Sequence, residues 1–401
     1  MKLTNRWFIV IGALIIQLCL GAIYSWSVFV NPLKEDYGFT TTQTQIIFSV
    51  ALATFAVVMV FAGRCQDKVG PKKVAIVGGI LLGLGYILAR FTNGSFSGLL
   101  LTIGLMGGAG IGFGYVCPIA ALIKWFPDKR GLITGLAVAG FGAGAWIFGQ
   151  LASYLITSIG LIATFFILGI IFLVAVVVGA LFLKNPPAGW VPEGWKATVA
   201  ANKKVKKIDF TWQDMIKTPS FWMLWIMFTF GAAAGLMVIG ILKPFGVYSG
   251  LSAAVAGSAV GLLALFNGAG RIIWGTLSDK LGRSKAMMLM FILQGAMMLI
   301  LIKMGSSALL LSIAAAWVGF NFGGNFALFP SATADYFGTK NVGVNYGLVF
   351  TSYGVAGIVG PILGGKVFDL TGSYMYAFIP SGIACIIAAI IALVLKGPKN
   401  K

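Results

Sequence analysis

The sequence predicts an all-α membrane protein with twelve transmembrane helices. Of its 401 residues, 59% are hydrophobic and only 10% are charged, whereas soluble domains carry roughly 25% charged residues. Apolar runs long enough to cross a bilayer, about 20 residues, recur along the whole chain. They lie near residues 7–30, 42–62, 74–92, 98–123, 131–157, 161–183, 219–242, 252–277, 286–304, 307–334, 341–365 and 374–395.

The first apolar run follows Lys2 and Arg6, as in a signal peptide, but it is too long and lacks a small-residue cleavage site before Pro32. We therefore expect a retained first helix. A net charge of +19 would suggest nucleic acid as the partner of a soluble chain. Here, a cytoplasmic N-terminus places most of the 29 Lys and Arg residues on the cytoplasmic side, as the positive-inside rule requires. The sequence predicts a multi-pass protein of the cell inner (plasma) membrane with both termini cytoplasmic.

The longest polar stretch divides the chain into six spans and six spans. It begins with two prolines and contains the cluster KKVKK at 203–207. We expect a cytoplasmic linker, in part an amphipathic helix on the anionic leaflet; a regulatory role is the second interpretation. The predicted units are an N-terminal six-helix bundle (1–184), the linker (185–218) and a C-terminal six-helix bundle (219–401).

The two halves of the chain repeat each other with an offset of 212 residues, the distance from Gly63 to Gly275. After the second span the chain reads GRCQDKVGPKK, and after the eighth it reads GTLSDKLGRSK. Both stretches contain Gly-x-x-x-Asp-Lys-x-Gly. The same offset relates GLAVAGFGAG (135–144) to GLVFTSYGVAG (347–357).

A parallel duplication of six-helix units, with a loop signature between spans two and three of each, resembles the major facilitator superfamily. The resemblance covers the whole chain and implies two pseudo-symmetric six-helix bundles. In that family these loops latch the two halves in one state of an alternating cycle. The corresponding residues here are Gly63, Asp67, Lys68, Gly275, Asp279, Lys280 and Arg283. The carboxylates near helix ends can pair with basic residues or with a neighbouring helix N-terminus. Pro71 replaces the usual arginine of the first copy, so we expect looser contacts there.

Arg271 lies near the middle of the eighth span, where a charge costs about 2.5–3.5 kcal/mol on insertion scales. All 10 acidic residues fall in loops or at span ends. Asp279 is about 12 Å further along the helix, too far for direct pairing. Arg271 is satisfied either by carbonyls, tyrosine hydroxyls and water, or by an anionic substrate. We favour the substrate, because a guanidinium binds a carboxylate through two parallel hydrogen bonds.

The repeat and the helical spacing indicate which side chains surround Arg271. Asn267 lies one turn before it on the same face, and Phe141 and Tyr353 occupy matched positions in spans five and eleven. The predicted substrate site consists of Arg271, Asn267, Tyr24, Tyr115, Phe141, Phe326, Phe350 and Tyr353, with Phe322 as a further aromatic residue at mid-depth. Tyrosine hydroxyls at this depth need polar partners.

The stretches GAIYSWSVF (21–29), KWFPDKRGLITGLAVAGFGAG (124–144) and NYGLVFTSYGVAG (345–357) resemble the oxalate/formate exchanger branch, which is akin to the monocarboxylate transporters. In both groups the eighth-span arginine binds the carboxylate, and that position is Arg271 here. Oxalate exchangers carry a lysine at the position of Tyr353. Animal monocarboxylate transporters carry an aspartate at the position of Asn267, and a first-span lysine that is missing here. One positive charge suits a monoanion such as lactate, pyruvate, acetate or formate.

The resemblance implies a secondary active transporter of small monocarboxylates, working by alternating access. We favour proton coupling narrowly; the alternative is an anion exchanger of the oxalate/formate type without it. The chain has no histidine and no obvious proton carrier. A coupled proton would travel on the substrate as the neutral acid, or on a group such as Asp279 or Asp335.

Other functional classes fit the sequence less well. Four cysteines without paired spacing and no histidine predict no metal site, and no cofactor is expected. The sequence shows no nucleophile–base pair, carboxylate dyad or phosphate loop that would indicate an enzyme. The doubled latch motif favours a carrier over an anion channel. The expected partners are a small carboxylate, protons and the lipid bilayer, with no nucleic acid, and a monomer is expected.

Overall fold

A computed structural model of the chain describes residues 6–39, 41–187, 190–192 and 209–398. Within these residues the secondary structure is helical, with no strand. Twelve helices are long and apolar enough to cross a membrane, which confirms the predicted number. The cluster at 203–207, with its predicted amphipathic helix, lies outside the described residues.

We number the spanning helices α1 to α12. They are α1 (Trp7–Gly21), α2 (Thr41–Val69), α3 (Pro71–Ala89), α4 (Gly108–Trp125), α5 (Arg130–Ile159), α6 (Leu161–Phe182), α7 (Pro219–Tyr248), α8 (Ala253–Leu281), α9 (Arg283–Met304), α10 (Ala308–Phe337), α11 (Val342–Thr371) and α12 (Met375–Val394). A 3-10 turn (Ala22–Ser25) extends α1, and a π-helical segment (Leu100–Gly107) precedes α4. Short helices cover Ser27–Tyr37, Phe96–Leu99 and Trp212–Met215, and a 3-10 turn covers Arg90–Thr92.

The two repeated motifs are mostly helical, which corrects the prediction that they form loops. Helix α2 continues to Val69 and α8 continues to Leu281, because charged side chains at a helix end do not interrupt its hydrogen bonds. The break falls on a single glycine in each copy, Gly70 with φ 90° and Gly282 with φ 87°. Only glycine adopts such a conformation at little cost. The polar connections are therefore sharp turns between long helices.

The helices form two six-helix bundles related by the repeat. In the first bundle α1 packs on α5, α2 on α4 and α3 on α6; in the second bundle α7 packs on α11, α8 on α10 and α9 on α12. Each pair in the second bundle is the repeat of a pair in the first. The bundles meet through α5 against α8 and through α2 against α11. The expected pseudo-symmetric arrangement is thus present.

The bundles are in close contact at one end of the molecule, the end where α1 begins and α12 ends, which we call the termini face. At Gly135 a Cβ would overlap the carbonyl group of Arg271, and at Gly131 it would overlap that of Gly275. The repeat-related glycines, Gly347 and Gly343, also bring α11 close to α2, although a Cβ at either would lie somewhat further from the carbonyl oxygens of Met59 and Gly63, at 3.0 and 2.7 Å. Small residues allow this approach of two backbones within a membrane.

The same helices separate toward the opposite end, which we call the far face. A Cβ at Gly142 of α5 would lie 3.4 Å from the Cα of Gly268, the last close approach to α8. Further along α8, a Cβ at Gly261 or Gly257 would meet no atom within 4 Å. Between α5 and α8, the structure is closed at the termini face and open at the far face.

Candidate functional site

Arg271 is completely buried between the two bundles. Its Nε donates a hydrogen bond to Asn267 Oδ1 at 2.8 Å, and its Nη1 donates to the carbonyl oxygen of Val138 at 2.6 Å. Its Nη2 is buried with no hydrogen-bond partner. In the described part of the chain, the carboxylates form their ion pairs with other cations. Arg271 is therefore held in place by neutral acceptors, with one nitrogen available.

Two aromatic rings cover the guanidinium group. Its carbon lies 4.4 Å from the ring centroid of Phe326 and 5.6 Å from that of Phe141. Such contacts partly replace the lost hydration of a buried cation. One ring comes from each bundle, so the charge lies at the boundary between them.

Hydroxyl groups from the two bundles meet beside Arg271. Tyr24 of the α1 extension and Tyr353 of α11 share a hydrogen bond. The Tyr24 ring contacts Phe141 with centroids 5.0 Å apart, and Tyr353 stacks on Phe350 at 4.9 Å. This bond connects the first bundle to the second on the boundary that Arg271 also occupies.

The structure brings all eight predicted substrate-site residues into one cluster. Tyr115 of α4 joins it through edge contacts to Phe141, at 5.5 Å, and through a tilted contact to Phe350, at 5.4 Å. Phe322 packs against Phe326 at 5.2 Å. Their role in binding a substrate stays a prediction.

The sequence did not predict every residue of the cluster; Phe228 of α7, 5.8 Å from Phe350, was missed, and so were two others. Phe55 of α2 lies 5.1 Å from both Tyr115 and Phe350, and Tyr346 of α11 lies 5.7 Å from Phe350. Both had a signal. The 212-residue offset pairs Phe55 with Asn267, and Tyr346 precedes Tyr353 by two helical turns.

Three polar groups of the cluster are buried without a hydrogen bond. They are Arg271 Nη2 and the hydroxyls of Tyr115 and Tyr346. The two hydroxyls interact with each other and lie near the guanidinium group, but the contact between them does not have hydrogen-bond geometry. An unpaired buried donor costs roughly 1–3 kcal/mol. Three buried polar groups that can each donate a hydrogen bond form a place where an anion would be stabilised.

A carboxylate of the second bundle caps a helix of the first at the termini face. Asp279 accepts hydrogen bonds from the backbone N–H groups of Gly131, at 3.0 Å, and Leu132, at 2.9 Å, in the first turn of α5. Lys129, which precedes this turn, provides no side-chain cap. Asp279 thus stabilises the exposed donors and the positive end of α5 across the bundle boundary.

The repeat-related carboxylate, which belongs to the first bundle, caps a helix of the second bundle. Asp67 of α2 accepts from the N–H groups of Gly343, at 3.3 Å, and Val344, at 3.0 Å, in the first turn of α11. Asn341, which precedes that turn, provides no side-chain cap either. The two copies of the motif form a matched pair of bonds between the bundles.

The side-chain partners of the two carboxylates differ. Arg283 binds Asp279 at 2.8 Å and Asp335 at 2.7 Å, and Arg130 also pairs with Asp335. Pro71 stands at the repeat position of Arg283 and makes no such bond; Lys124, 3.7 Å from Asp67, is the cation there. The other two predicted motif cations, Lys68 and Lys280, are exposed. The second copy therefore has the denser ion-pair network.

Comparisons with known proteins agree with this architecture. The model of a family described as Major Facilitator Superfamily matches residues 9–245 and 229–401. The chain is 30% identical to the oxalate:formate antiporter of Oxalobacter formigenes, over 100% of this chain and 94% of that protein. It is 25% identical to monocarboxylate transporter 12 of Xenopus laevis, over 96% of this chain and 87% of that protein.

A solved structure has the same fold. It is FucP, a transporter of the same superfamily in the outward conformation, with a TM-score of 0.72 and 17% sequence identity. The match covers 97% of this chain and 98% of that chain. At this identity the likeness concerns the arrangement of the helices and carries no information on the substrate.

Proposed function

The chain belongs to the major facilitator superfamily, and from that premise we propose that it is a secondary active transporter of small monocarboxylates such as L-lactate or pyruvate. The observation that supports this most directly is Arg271. It is fully buried, its Nη2 lacks a partner, and its other nitrogens are bonded only to neutral oxygens. A carboxylate would satisfy the free nitrogen and neutralise the charge.

The neighbours of Arg271 have separate roles in this proposal. The hydroxyls of Tyr115 and Tyr346, which lack partners, donate to the substrate carboxylate. Asn267 orients the guanidinium group. The aromatic rings of Phe141, Phe326 and Phe350 provide the apolar surface against which the rest of the substrate packs, and the Tyr24–Tyr353 bond joins the bundles beside it. A single cation in an apolar site suits a monoanion better than a dianion.

The proposed cycle is alternating access, with units 1–184 and 219–401 rocking about the site and 185–218 as the linker between them. With both termini in the cytoplasm of a cell inner membrane, as the basic loops predict, the termini face is the cytoplasmic face. The state described here is then closed to the cytoplasm by Asp67 and Asp279. Opening that face requires both carboxylates to leave their helix ends.

Proton-coupled uptake is the mode that we propose first, with the proton travelling on the substrate as the neutral acid. Anion exchange is the second candidate, and a specific observation favours it. In the described part of the cluster around Arg271, the ionisable neighbours are tyrosines rather than carboxylates, and exchange of one anion for another needs no proton site. The overall similarity to an oxalate:formate antiporter points in the same direction.

Transport by purified protein in liposomes separates these modes. Uptake of labelled L-lactate is measured with an inward proton gradient and empty vesicles, and then with unlabelled formate or oxalate inside at equal pH. Accumulation driven by the gradient alone supports symport. Uptake only against an internal anion supports exchange. If neither condition drives uptake of L-lactate, pyruvate or formate, the proposed function is wrong.

A further inference from the structure

A large cavity lies between α5 and α8 on the far-face side of their crossing, and the proposed binding site does not use it. Its volume is about 800 Å³, which falls within the range of ligand sites in proteins, roughly 300–1,000 Å³. One wall is the face of α5 from Ala139 to Trp146, and the other is the face of α8 from Ser258 to Ala269. We call it the α5/α8 cavity.

The cavity exists because small residues face it from both helices. Near its inner end Gly142 approaches Gly268, and Ala139 and Ala269 complete the lining there. Beyond this point Gly261 faces empty space, since a Cβ there would meet no atom within 4 Å. Ala139 and Ala143 of α5 are too short to fill the gap from the other side. The gap is therefore a property of these particular residues and not only of the separation of the helices.

The cavity opens sideways, at the depth of membrane hydrocarbon. Trp146 and Leu265 line it and are 64% and 68% exposed. Both lie well inside the spanning segments Arg130–Ile159 and Ala254–Leu281, and the hydrocarbon core of a bilayer is about 30 Å thick. What meets this opening in a membrane is lipid.

The lining is unsuited to water. Its hydroxyl group, on Ser258, already donates to the carbonyl oxygen of Ala254 at 3.0 Å, and the remaining residues are glycine, alanine, leucine and Trp146. A water molecule needs two to four polar partners to be stable in a cavity. An unfilled apolar gap loses the dispersion contacts of all the atoms that line it.

We propose that an acyl chain of a membrane phospholipid occupies the α5/α8 cavity and holds the far ends of these helices apart. In an alternating cycle, closing the far face brings α5 and α8 together and removes the cavity. The acyl chain then has to leave the cavity. A ligand that binds only one of two states shifts the equilibrium toward that state, so the lipid stabilises the state that is open at the far face. This last step rests on the proposed transport cycle, whereas the binding itself does not.

The repeat supplies an internal comparison. The positions related to Gly261, Ala139 and Ala143 by the 212-residue offset are Ser49, Thr351 and Val355. These residues are larger, and Thr351 Oγ1 accepts a hydrogen bond from Trp225 Nε1 at 2.9 Å. The small residues that form the cavity are therefore confined to the α5/α8 side of the molecule, and we expect lipid capture on that side alone.

Photochemical labelling tests the site directly. The protein is reconstituted in phosphatidylcholine that carries a diazirine on its acyl chain, irradiated and analysed by peptide mass spectrometry. We expect adducts within 139–146 and 258–269. Gly261→Leu, which fills the cavity, should lower their yield by about tenfold, and the repeat-related control Ser49→Leu should leave it unchanged. Ala143→Leu fills the same space from α5 and replaces Gly261→Leu if that variant does not fold.

Each outcome decides a separate step. Equal labelling of the residues around Ser49, or a yield that both filling variants leave intact, would overturn the site; cross-links between two protein chains would assign the cavity to a second copy instead. Loosening the termini face with Asp279→Asn should lower the adduct yield, and an unchanged yield would overturn the wedging role. If the protein fails to transport L-lactate, the adduct pattern still decides whether the lipid site exists.

Discussion

Arg271 is a costly side chain to bury. Burial of a cation at mid-span is unfavourable by several kcal/mol, and here the compensation is incomplete, because Nη2 has no partner. Asn267 and the Val138 carbonyl oxygen fix the orientation of the group without neutralising it. The protein therefore retains at this residue a free energy that an incoming anion can recover.

Replacing Arg271 should abolish transport while sparing the fold. Arg271→Gln is expected to lower kcat/KM for L-lactate by more than about a hundredfold, since losing the charge-assisted hydrogen bonds from Nη2 costs roughly 3 kcal/mol. Removing an incompletely paired buried charge should at the same time leave Tm unchanged or raise it. Arg271→Lys keeps the charge without the planar guanidinium group, and its kcat/KM should lie between those of the unmodified protein and Arg271→Gln. Normal uptake by Arg271→Gln would falsify the site assignment.

Tyr346 provides a finer test, because only its hydroxyl is implicated. Tyr346→Phe keeps the ring contact with Phe350 and should raise KM for L-lactate by about fivefold to tenfold with little change in kcat, the scale of one hydrogen bond. The matched control is Tyr86→Phe, a buried tyrosine packed between Phe165 and Phe172 within the first bundle. Equal effects of both substitutions would indicate a general packing role.

The preference of the site for a monoanion or a dianion should depend on the residue at position 353. Tyr353→Lys places a second cation beside Arg271 and removes the bond to Tyr24. A site with two positive charges favours a dianion, so the ratio of oxalate to L-lactate uptake should rise by at least about tenfold in competition assays. Tyr353→Phe, which removes the same bond without adding charge, is the control. An unchanged ratio in Tyr353→Lys would show that charge at this position does not select the substrate.

Helices α5 and α8 combine three tasks along their length. Near the termini face they touch through glycines and carry the Asp279 cap, at mid-span they hold Arg271, and beyond Gly142 and Gly268 they separate. Helices α5 and α8 thus connect the closed termini face, the buried charge of Arg271 and the open far face. A change in the distance between the two helices alters all three.

The glycine contact can be tested by adding one methyl group. Gly135→Ala places a Cβ against the Arg271 carbonyl group and should destabilise the state closed at the termini face by about 1–3 kcal/mol, the usual cost of overpacking. Gly142→Ala adds the same methyl group at an ordinary contact distance, 3.4 Å from Gly268 Cα, and should be tolerated. Spin labels at positions 72 and 285, exposed at the termini face in different bundles, would report the change as a longer distance. No difference between the variants would contradict the assigned close contact.

The sequence predicted the whole molecule well because its signals were global. Twelve apolar runs and the 212-residue repeat sufficed to predict the bundle arrangement. The lone mid-span cation, Arg271, indicated where its neighbours would gather. It did not predict that the motifs around Asp67 and Asp279 stay helical, since helix continuation depends on where the chain meets a turn glycine. Phe55 and Tyr346 were missed because their signals, the repeat offset and the helical spacing, do not by themselves separate a residue that faces the site from one that faces lipid or core. The cavity between α5 and α8 depends on the relative position of two bundles, which no local pattern contains.

The two trans caps should act together on the whole molecule. Asp67→Asn and Asp279→Asn each remove the charge that faces a helix N-terminus, which is worth about 0.3–1 kcal/mol or more when partly buried. We expect the double variant to populate the state open at the termini face, with a longer distance between labels at positions 72 and 285. Asp128→Asn breaks a pair with Arg6 within the first bundle and is the control. If the double variant behaves like Asp128→Asn, the caps do not control the bundle boundary.

The burial of Arg271 without a carboxylate also determines how membrane voltage acts on the protein. The empty site carries one positive charge, and a bound monocarboxylate cancels it. A potential of 100 mV exerts about 2.3 kcal/mol on a charge that crosses it. Voltage therefore acts on the empty protein as it reorients and hardly on the protein loaded with the anion alone. An exchanger that reorients only when loaded would work at the same rate at any potential. A symporter that carries the proton on the substrate keeps the positive charge at the site in both steps, so a more negative cell interior favours the loaded inward step and slows the empty return, which carries the charge outward.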